Sequence, residues 1–333
     1  MLRILHIGLG PLGHRIVRDL HTRKVGKVVG AVDISPELIG KPLSKVIDGE
    51  ASKVVVRASI AQAMKDAGGK VDAAIVTTAS DMRACAETFS ELLKLGIAVV
   101  STCEEATWPW LRHPALSKKL DALARKHGGR LLGTGVNPGY LMDTVPVFAT
   151  AACREVESIE IHRFQDATTR RIPFQKKIGA TLDDKAFKQG IKDGWLRHVG
   201  LGESLHFVAD CLGWKVSSWS ETIKPVKASK AMKCGLGAIK AGNAAGVRQE
   251  AVGICDGKRV LKFVFQAAIG EPRSEDRVIV RGEPNVNMVF EGGVHGDIAT
   301  SSVTINSIPA LLKVGPGLHT MNTIPLVHFV RGK

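Results

Sequence analysis

Three glycines near the start of the chain constrain its fold more than any other feature. Gly8, Gly10 and Gly13 come directly after the short apolar run LRILHI (residues 2–7), and a helical pattern, RIVRDLHTR, follows them. Gly8 permits a tight turn, Gly10 leaves the backbone open to close approach, and Gly13 lets a helix pack closely on a strand. The pattern therefore predicts a strand, a turn and a helix, in that order.

A carboxylate at position 33 gives these glycines the context of a dinucleotide site. Asp33 ends a second apolar run, KVVGAVD, where an acidic side chain can bind both hydroxyls of a ribose. The amides of Leu12 and Gly13, next to Pro11 at the positive end of the helix dipole, would then point at the phosphates. Because Asp33 repels a 2′-phosphate, NAD is favoured over NADP, although Ser35 and nearby basic residues leave NADP open.

Apolar runs alternate with helical patterns over residues 1–135, for example AAIVTT and IAVVST on either side of MRACAETFSELLKLG. This alternation predicts an α/β fold with a doubly wound parallel sheet, the Rossmann architecture. After residue 138, period-two segments and Gly/Pro/Asp turns predict an α+β domain with a mostly antiparallel sheet. We expect a dinucleotide-binding domain at 1–140, an α+β domain at 141–305, and a C-terminal segment at 306–333 that packs back toward the first domain.

The carboxyl ends of the predicted parallel strands are where functional side chains are expected, since ligands bind outside these ends in open α/β sheets. The fourth, fifth and sixth strands each end in small or polar residues. The candidates for contact with the dinucleotide are Thr77, Thr78, Ala79, Ser101, Thr102, Cys103 and Asn137. Asn137 can also bind a substrate, and Tyr140, the only tyrosine in the chain, is a candidate for the same task.

Two adjacent carboxylates, Glu104 and Glu105, follow the fifth predicted strand. One interpretation is a helix N-terminus, where acidic side chains complement the helix dipole. The other is catalytic: a carboxylate that faces the reacting carbon acts as a general base or stabilises a cationic intermediate. Both glutamates are therefore candidate catalytic residues.

Six sequence blocks spread over nearly the whole chain carry a more specific signal. They are GLGPLG (8–13), STCEEATWP (101–109), GTGVNPGYLMD (133–143), FQKKIGATL (174–182), HVGLGES (198–204) and PGLHTM (316–321). With these blocks the chain resembles the 2,4-diaminopentanoate dehydrogenases and native amine dehydrogenases, within the dihydrodipicolinate-reductase-like group. The Glu-Lys-Pro signature of sugar and inositol dehydrogenases is missing, since the matching position reads Glu-Glu-Ala.

The resemblance implies an oxidoreductase that converts a primary amine, or a 2,4-diamino acid, reversibly to a ketone or aldehyde plus ammonia, with NAD or NADP as cofactor. It implies that residues 141–305 bind the substrate and form a homodimer through their sheet. It also places the family's catalytic glutamate at Glu104 or Glu105, with Glu104 favoured.

Three residues of the second domain are candidates for contact with a substrate: Arg171, Gln175 and His198, with Glu203 as a further one. An acidic substrate needs a cation for its carboxylate, and Arg171 or His198 can serve, whereas a simple amine needs an apolar pocket. Each residue also has a plain structural interpretation, such as a solvated arginine or a core histidine. The sequence leaves the choice of substrate open.

Two other functions stay open on the sequence alone. A different NAD(P)-dependent oxidoreductase, acting on an amino acid or a cyclic imine, would use the same scaffold, and a non-catalytic sensor would bind the dinucleotide without turnover. The net charge of +14 is spread over both halves of the chain, so no nucleic-acid partner is expected. Scattered cysteines without zinc-ligand spacing, and the lack of a long apolar segment, predict a cytoplasmic protein with no metal site and no membrane span.

Overall fold

The glycine-rich turn joins the first two elements of the computed structural model, which describes residues 1–332. Strand β1 (Leu2–Ile7) runs into helix α1 (Pro11–Arg23), and Pro11 at the start of the helix has its φ already set for a helical turn. Gly8 has a φ of +92°, and an added Cβ would lie 2.8 Å from the carbonyl oxygen of Thr77. Only glycine fits this position without strain.

Strands and helices then alternate through the rest of the first 140 residues. They are β2 (Gly26–Val32), α2 (Leu43–Val46), β3 (Val56–Arg57), α3 (Ile60–Asp66), β4 (Ala73–Val76), α4 (Met82–Lys94), β5 (Ala98–Ser101), a 3₁₀ helix (Glu104–Thr107), α5 (Pro114–His127) and β6 (Arg130–Gly133).

The middle of the chain is built on long strands that pair mostly antiparallel. Its elements are α6 (Thr144–Thr150), β7 (Glu155–Asp166), α7 (Ile172–Lys177), α8 (Asp184–Lys192), α9 (Leu201–Cys211), β8 (Val216–Lys227), β9 (Met232–Cys234), β10 (Gly237–Ile239), β11 (Ala244–Cys255), β12 (Lys258–Ala268), β13 (Glu275–Glu283) and β14 (Val286–Glu291). Six of these strands form a sheet in the order β14-β13-β7-β12-β11-β8, in which β7 and β12 pair in parallel. Alternate side chains of β11 and β13 are buried, and α9 packs on the sheet.

Helix α10 (Gly296–Leu311) and strand β15 (Gly317–His319) return the chain to the first sheet. Among the described residues, seven strands lie there in the order β15-β6-β5-β4-β1-β2-β3, and all of their pairings are parallel. The order of the strands along the chain reverses at β1, which lies between β2 and β4. Ligands bind outside the carboxyl ends of the strands at such a switch point.

The strands of the parallel sheet are continuous apolar runs because helices pack on them. β4 and β5 are buried along their whole length, and Phe89, Leu92 and Leu93 of α4 are fully buried in the same core. Each such side chain contributes about 1.5–3 kcal/mol on burial. This core fixes the strand ends that carry the candidate site.

Contacts within the chain divide it into two units, Met1–Tyr140 with the chain from Gly296 onward, and Leu141–His295. The sequence placed the second boundary at 305/306, whereas the structure places it at 295/296. The reason is α10, which packs on α1 and β5, with the Ser301 hydroxyl donating to Asp19 at 2.5 Å. A parallel α/β unit and a second unit with a mostly antiparallel sheet confirm the predicted fold class. No helix within residues 1–332 has both the length and the apolar character needed to cross a membrane.

Candidate active site

The glycine-rich turn presents backbone amides at the N-terminus of α1. The helix has no side-chain cap and no acidic residue in its first turn, so no carboxylate of its own competes for the amides of Leu12 and Gly13. A Cβ added at Gly10 would meet nothing within 4 Å, whereas one at Gly13 would lie 2.1 Å from the Gly8 oxygen. The turn is therefore closed on the protein side and open on the other, which fits a pyrophosphate beside the helix dipole.

Asp33, just after β2, is bonded to this turn. Its Oδ2 accepts a hydrogen bond from the Leu9 amide at 2.6 Å, and its Oδ1 accepts one from the Ser35 amide at 2.8 Å. The carboxylate is thereby fixed where the ribose of a dinucleotide would lie. The neighbouring Ile34 side chain is 90% exposed, an apolar surface on which an adenine ring can pack.

Thr77, the residue after β4, lies beside the turn, and its hydroxyl donates to the Gly8 carbonyl at 2.7 Å. The His6 Nε2 lies 3.0 Å from the same oxygen, and burial lowers the pKa of His6 to about 4. A neutral imidazole and a hydroxyl thus hold the first glycine in place from inside the protein. His6 was missed in the sequence, where its signal was a polar residue within an apolar strand. Thr78 is exposed and Ala79 is half-buried.

Ser101, Thr102 and Cys103 lead from β5 to the two glutamates. The Ser101 hydroxyl donates to the β4 backbone at 3.1 Å and accepts from the Cys103 amide at 3.1 Å. The Cys103 thiol donates to the Ser80 carbonyl at 3.2 Å, and hydrogen bonding with Cys85 together with burial raises its pKa. Ser101 and Cys103 are therefore buried supports, while Thr102 is half-buried.

The 3₁₀ helix places its two glutamates in different environments. Glu105 is only 6% exposed, whereas Glu104 is half-buried. The Glu105 Oε2 accepts hydrogen bonds from the Met82 amide at 3.0 Å and from the His113 Nε2 at 2.7 Å, and the Arg112 Nε lies 4.0 Å from its Oε1. Donors of the protein itself thus occupy Glu105, and Glu104 is the more accessible carboxylate.

Asn137 and Tyr140 follow β6, the neighbour of β5, at the same edge of the sheet. Asn137 is buried and Tyr140 is half-buried. The adjacent Val136 amide donates to the Thr300 hydroxyl of α10 at 3.3 Å, which holds this segment against the unit. The structure therefore brings the strand ends of β1, β4, β5 and β6, with their predicted residues, to one edge.

Gln175 lies in the second unit, where its side chain bonds backbone groups. Its Nε2 lies 3.0–3.2 Å from three carbonyl oxygens of the 167–170 segment, and its Oε1 accepts from the Gly235 amide at 2.8 Å. The side chain is 1% exposed. Both polar atoms that a substrate contact would need are occupied within this unit. Arg171 is exposed and Glu203 is fully buried.

His198 also lies in the second unit, in a positively charged neighbourhood. Its ring stacks on Phe265 with the centroids 4.3 Å apart. Burial lowers the pKa of His198 well below its ordinary value, and the charges of Lys177, Arg163 and Arg197 lower it further. The imidazole is therefore neutral at neutral pH.

Arg163, which the sequence did not indicate as a candidate, is the main buried charge of this unit. It is 2% exposed, and its Nη1 lies 3.1 Å from Oδ2 of Asp276, which is 1% exposed. The Arg163 Nη2 donates to the Val294 carbonyl at 3.0 Å. Burial lowers the pKa of Arg163 to about 10, so the guanidinium stays charged. Its signal in the sequence was an arginine at an inward position of a period-two strand.

Comparison with known proteins places this chain in a family. The family profile of the 2,4-diaminopentanoate dehydrogenase C-terminal domain matches residues 140–333. A curated 2,4-diaminopentanoate dehydrogenase from Acetoanaerobium sticklandii is 30% identical over 341 residues, which cover 99% of this chain and 95% of that protein. The chain belongs to the 2,4-diaminopentanoate dehydrogenase family. Membership confirms the resemblance seen in the six sequence blocks, and with it the prediction of an amine-oxidising dehydrogenase.

Solved structures share the fold of this 2,4-diaminopentanoate dehydrogenase family member. An amine dehydrogenase from Mycobacterium smegmatis matches with a TM-score of 0.86 at 20% identity, covering 98% of this chain and 97% of that one. An oxidoreductase from Agrobacterium radiobacter, solved in complex with NAD+, L-tartaric acid and magnesium, matches with a TM-score of 0.58 at 11% identity, covering 93% and 88%. In the part of this chain that the structure describes, no group of three or more His, Cys, Asp or Glu residues is placed to hold a metal ion.

Proposed function

We propose that this member of the family is an NAD(P)-dependent amine dehydrogenase. It catalyses the reversible oxidative deamination of a primary amine, or of a 2,4-diamino acid, to a ketone or aldehyde plus ammonia. The observation that carries the proposal is the half-buried Glu104, three residues after the end of β5, on the sheet edge that also carries the glycine turn.

The cofactor supplies hydride transfer to and from the carbon that bears nitrogen. The amides of Leu12 and Gly13 would hold its pyrophosphate and Asp33 a ribose, because these groups form an open cradle with a fixed carboxylate. Thr77, Thr78, Ala79, Thr102 and Asn137 are our candidates for the border of the nicotinamide. The NAD+ of the Agrobacterium radiobacter oxidoreductase, which shares the fold, supports a nicotinamide dinucleotide here.

In the proposed reaction, Glu104 accepts and donates protons. Its carboxylate takes a proton from the substrate ammonium and releases it to solvent, which leaves a neutral amine able to lose a hydride. The ionised carboxylate then stabilises the iminium cation. Glu104 next takes a proton from a water molecule as the oxygen bonds to the iminium carbon. It gives that proton to nitrogen, the C–N bond breaks, and ammonia leaves as the hydroxyl proton passes back to the Glu104 carboxylate and the carbonyl forms.

The charge around His198 supports a substrate that carries a carboxylate. Lys177, Arg163 and Arg197 each lower the pKa of this histidine, and although Asp276 pairs with Arg163, a substrate carboxylate would be attracted by these positive charges. On this basis we favour a 2,4-diamino acid over a simple amine as the substrate.

Asp33 is proposed to make NAD the preferred cofactor over NADP. Asp33→Asn removes the charge that repels a 2′-phosphate while keeping an oxygen to accept from the Leu9 amide. We expect the ratio of kcat/KM for NADPH to that for NADH to rise about tenfold or more, which corresponds to about 1.4 kcal/mol. The exposed Glu37, replaced by glutamine, is the control for loss of one charge. An unchanged ratio in D33N would contradict the assignment.

A homodimer formed through the six-stranded sheet and a cytoplasmic location also stay proposals. The first is supported by the resemblance. The second is supported by the scattered cysteines. The mass of the protein in solution tests the dimer.

The function is tested by cofactor oxidation. The protein is mixed with NADH or NADPH, concentrated ammonia at alkaline pH, and a panel of ketones, aldehydes and keto acids, with ammonia omitted in parallel. We expect oxidation that depends on ammonia and is fastest with substrates that carry a carboxylate. Turnover without ammonia would instead support another oxidoreductase. Cofactor binding without turnover of the panel, or of 2,4-diamino acids with NAD+ or NADP+, would support a sensor.

A further inference from the structure

We propose that Glu105 and His113 form a positioning pair that holds the segment bearing Glu104 in place, and that neither is a catalytic residue. This proposal rests on the assignment of Glu104 to catalysis. Glu104 is half-buried, whereas the adjacent Glu105 is buried with its carboxylate bonded to two other parts of the chain.

The contacts of Glu105 link the starts of two helices. Met82, whose amide donates to Glu105, is the first residue of α4, and His113, whose Nε2 lies 2.7 Å from the carboxylate, is the N-cap of α5. The side chains of Glu105 and His113 are 7% and 8% exposed. A buried carboxylate that loses one such partner is left uncompensated, so the pair acts as a unit.

The backbone on either side of Glu104 is held as well. The Glu105 amide donates to the Ser80 carbonyl at 3.2 Å, and the Cys103 thiol donates to the same carbonyl at 3.2 Å. A Cβ added at Gly133 would lie 2.3 Å from the Ala106 carbonyl carbon, so the 3₁₀ helix sits directly against β6. Glu104 therefore stands on a segment that is fixed to the loop after β4 and to β6.

This attachment matters for function because Ser80 and Met82 directly follow Thr77, Thr78 and Ala79, the proposed border of the nicotinamide. The Glu105 anchor thus couples the position of Glu104 to the position of that loop. A displacement of about 1 Å between reacting groups can cost on the order of a hundredfold in rate. Loss of the anchor should therefore lower kcat while the cofactor, held mainly by the glycine turn and Asp33, binds as before.

A double-mutant cycle tests the proposal. Glu105→Ala, His113→Ala and the double variant are compared for kcat, KM, the Kd of NADH and the melting temperature. We expect each single change to lower kcat about tenfold to a hundredfold with little change in Kd, and the double variant to be no slower than the slower single one, since both remove one interaction. Losses that multiply, or an unchanged kcat in E105A, would overturn the proposal.

Conservative variants keep the test informative if the alanine variants fold poorly. Glu105→Gln keeps an acceptor for the Met82 amide and His113→Gln keeps a donor, so each should retain kcat within about threefold to fivefold of the original protein. If E105Q loses as much activity as E104Q, Glu105 itself transfers the proton and the positioning role is wrong. A loss in E104Q with none in any Glu105 variant defeats only the positioning proposal, whereas full activity of E104Q defeats the proposed function.

Discussion

Replacing Glu104 with glutamine is expected to lower kcat about 10²–10⁴-fold in both reaction directions, the usual contribution of a general acid–base group. Glutamine has nearly the same shape, but it can neither take a proton from the substrate ammonium nor stabilise the iminium by charge. Because the glycine turn and Asp33 are assigned to hold the cofactor, the Kd of NADH should stay unchanged. Steady-state rates of amine oxidation and ketone amination, with fluorescence titration of NADH, measure both quantities.

The control for this change is Glu87→Gln on the exposed face of α4, which removes one negative charge near the same sheet without touching its edge. It should have the activity of the original protein. A Glu104→Gln variant that kept more than about half of the original kcat would show that no proton passes through this side chain, since the expected loss is at least about a hundredfold.

The parallel sheet could be predicted from the sequence because its rules are local. The strands of the first unit are apolar runs, and the glycine pattern of the turn after β1 is contained within six residues. Strand β8 (Val216–Lys227) was missed for a physical reason. It is an edge strand with no fully buried residue, so it has no apolar run, and Pro225 interrupts its pattern. Its existence depends on pairing with β11, which no local signal records.

Some features of the candidate site could likewise be predicted from the sequence, and others could not. Residues on strand ends could be placed because the ends of parallel strands meet at one edge, and the structure brings Gly8, Thr77, Ser101 and Asn137 together there. The hydrogen-bond partners of these side chains could not be predicted, because they depend on the conformation of the loops. His113 reaches Glu105 only because the segment after the 3₁₀ helix folds back, and the amide of Gln175 is occupied by segments that the sequence could not bring to it.

Substitutions at two glycines of the turn are expected to separate an effect on cofactor binding from an effect on stability. Gly10→Ala places a methyl group where the protein has nothing within 4 Å, at a φ of −71° that alanine adopts freely. The melting temperature should therefore be unchanged. The methyl group would project into the space assigned to the pyrophosphate, so the Kd of NADH should rise about tenfold or more, which is about 1.4 kcal/mol.

Gly13→Ala is the matched variant, since its methyl group points the other way. It would lie 2.1 Å from the Gly8 carbonyl oxygen and 3.0 Å from the His6 Nε2, and the backbone at Gly8 has little freedom to move. We expect a loss of stability of about 1–3 kcal/mol or more from overpacking, seen as a lower melting temperature, together with weaker NADH binding. If G10A bound NADH as tightly as the original protein, the dinucleotide would not lie over this turn, and Asp33 would lose its assigned role as well. A stable G13A would mean that α1 can move away from β1, and the close packing on which the cradle depends would be wrong.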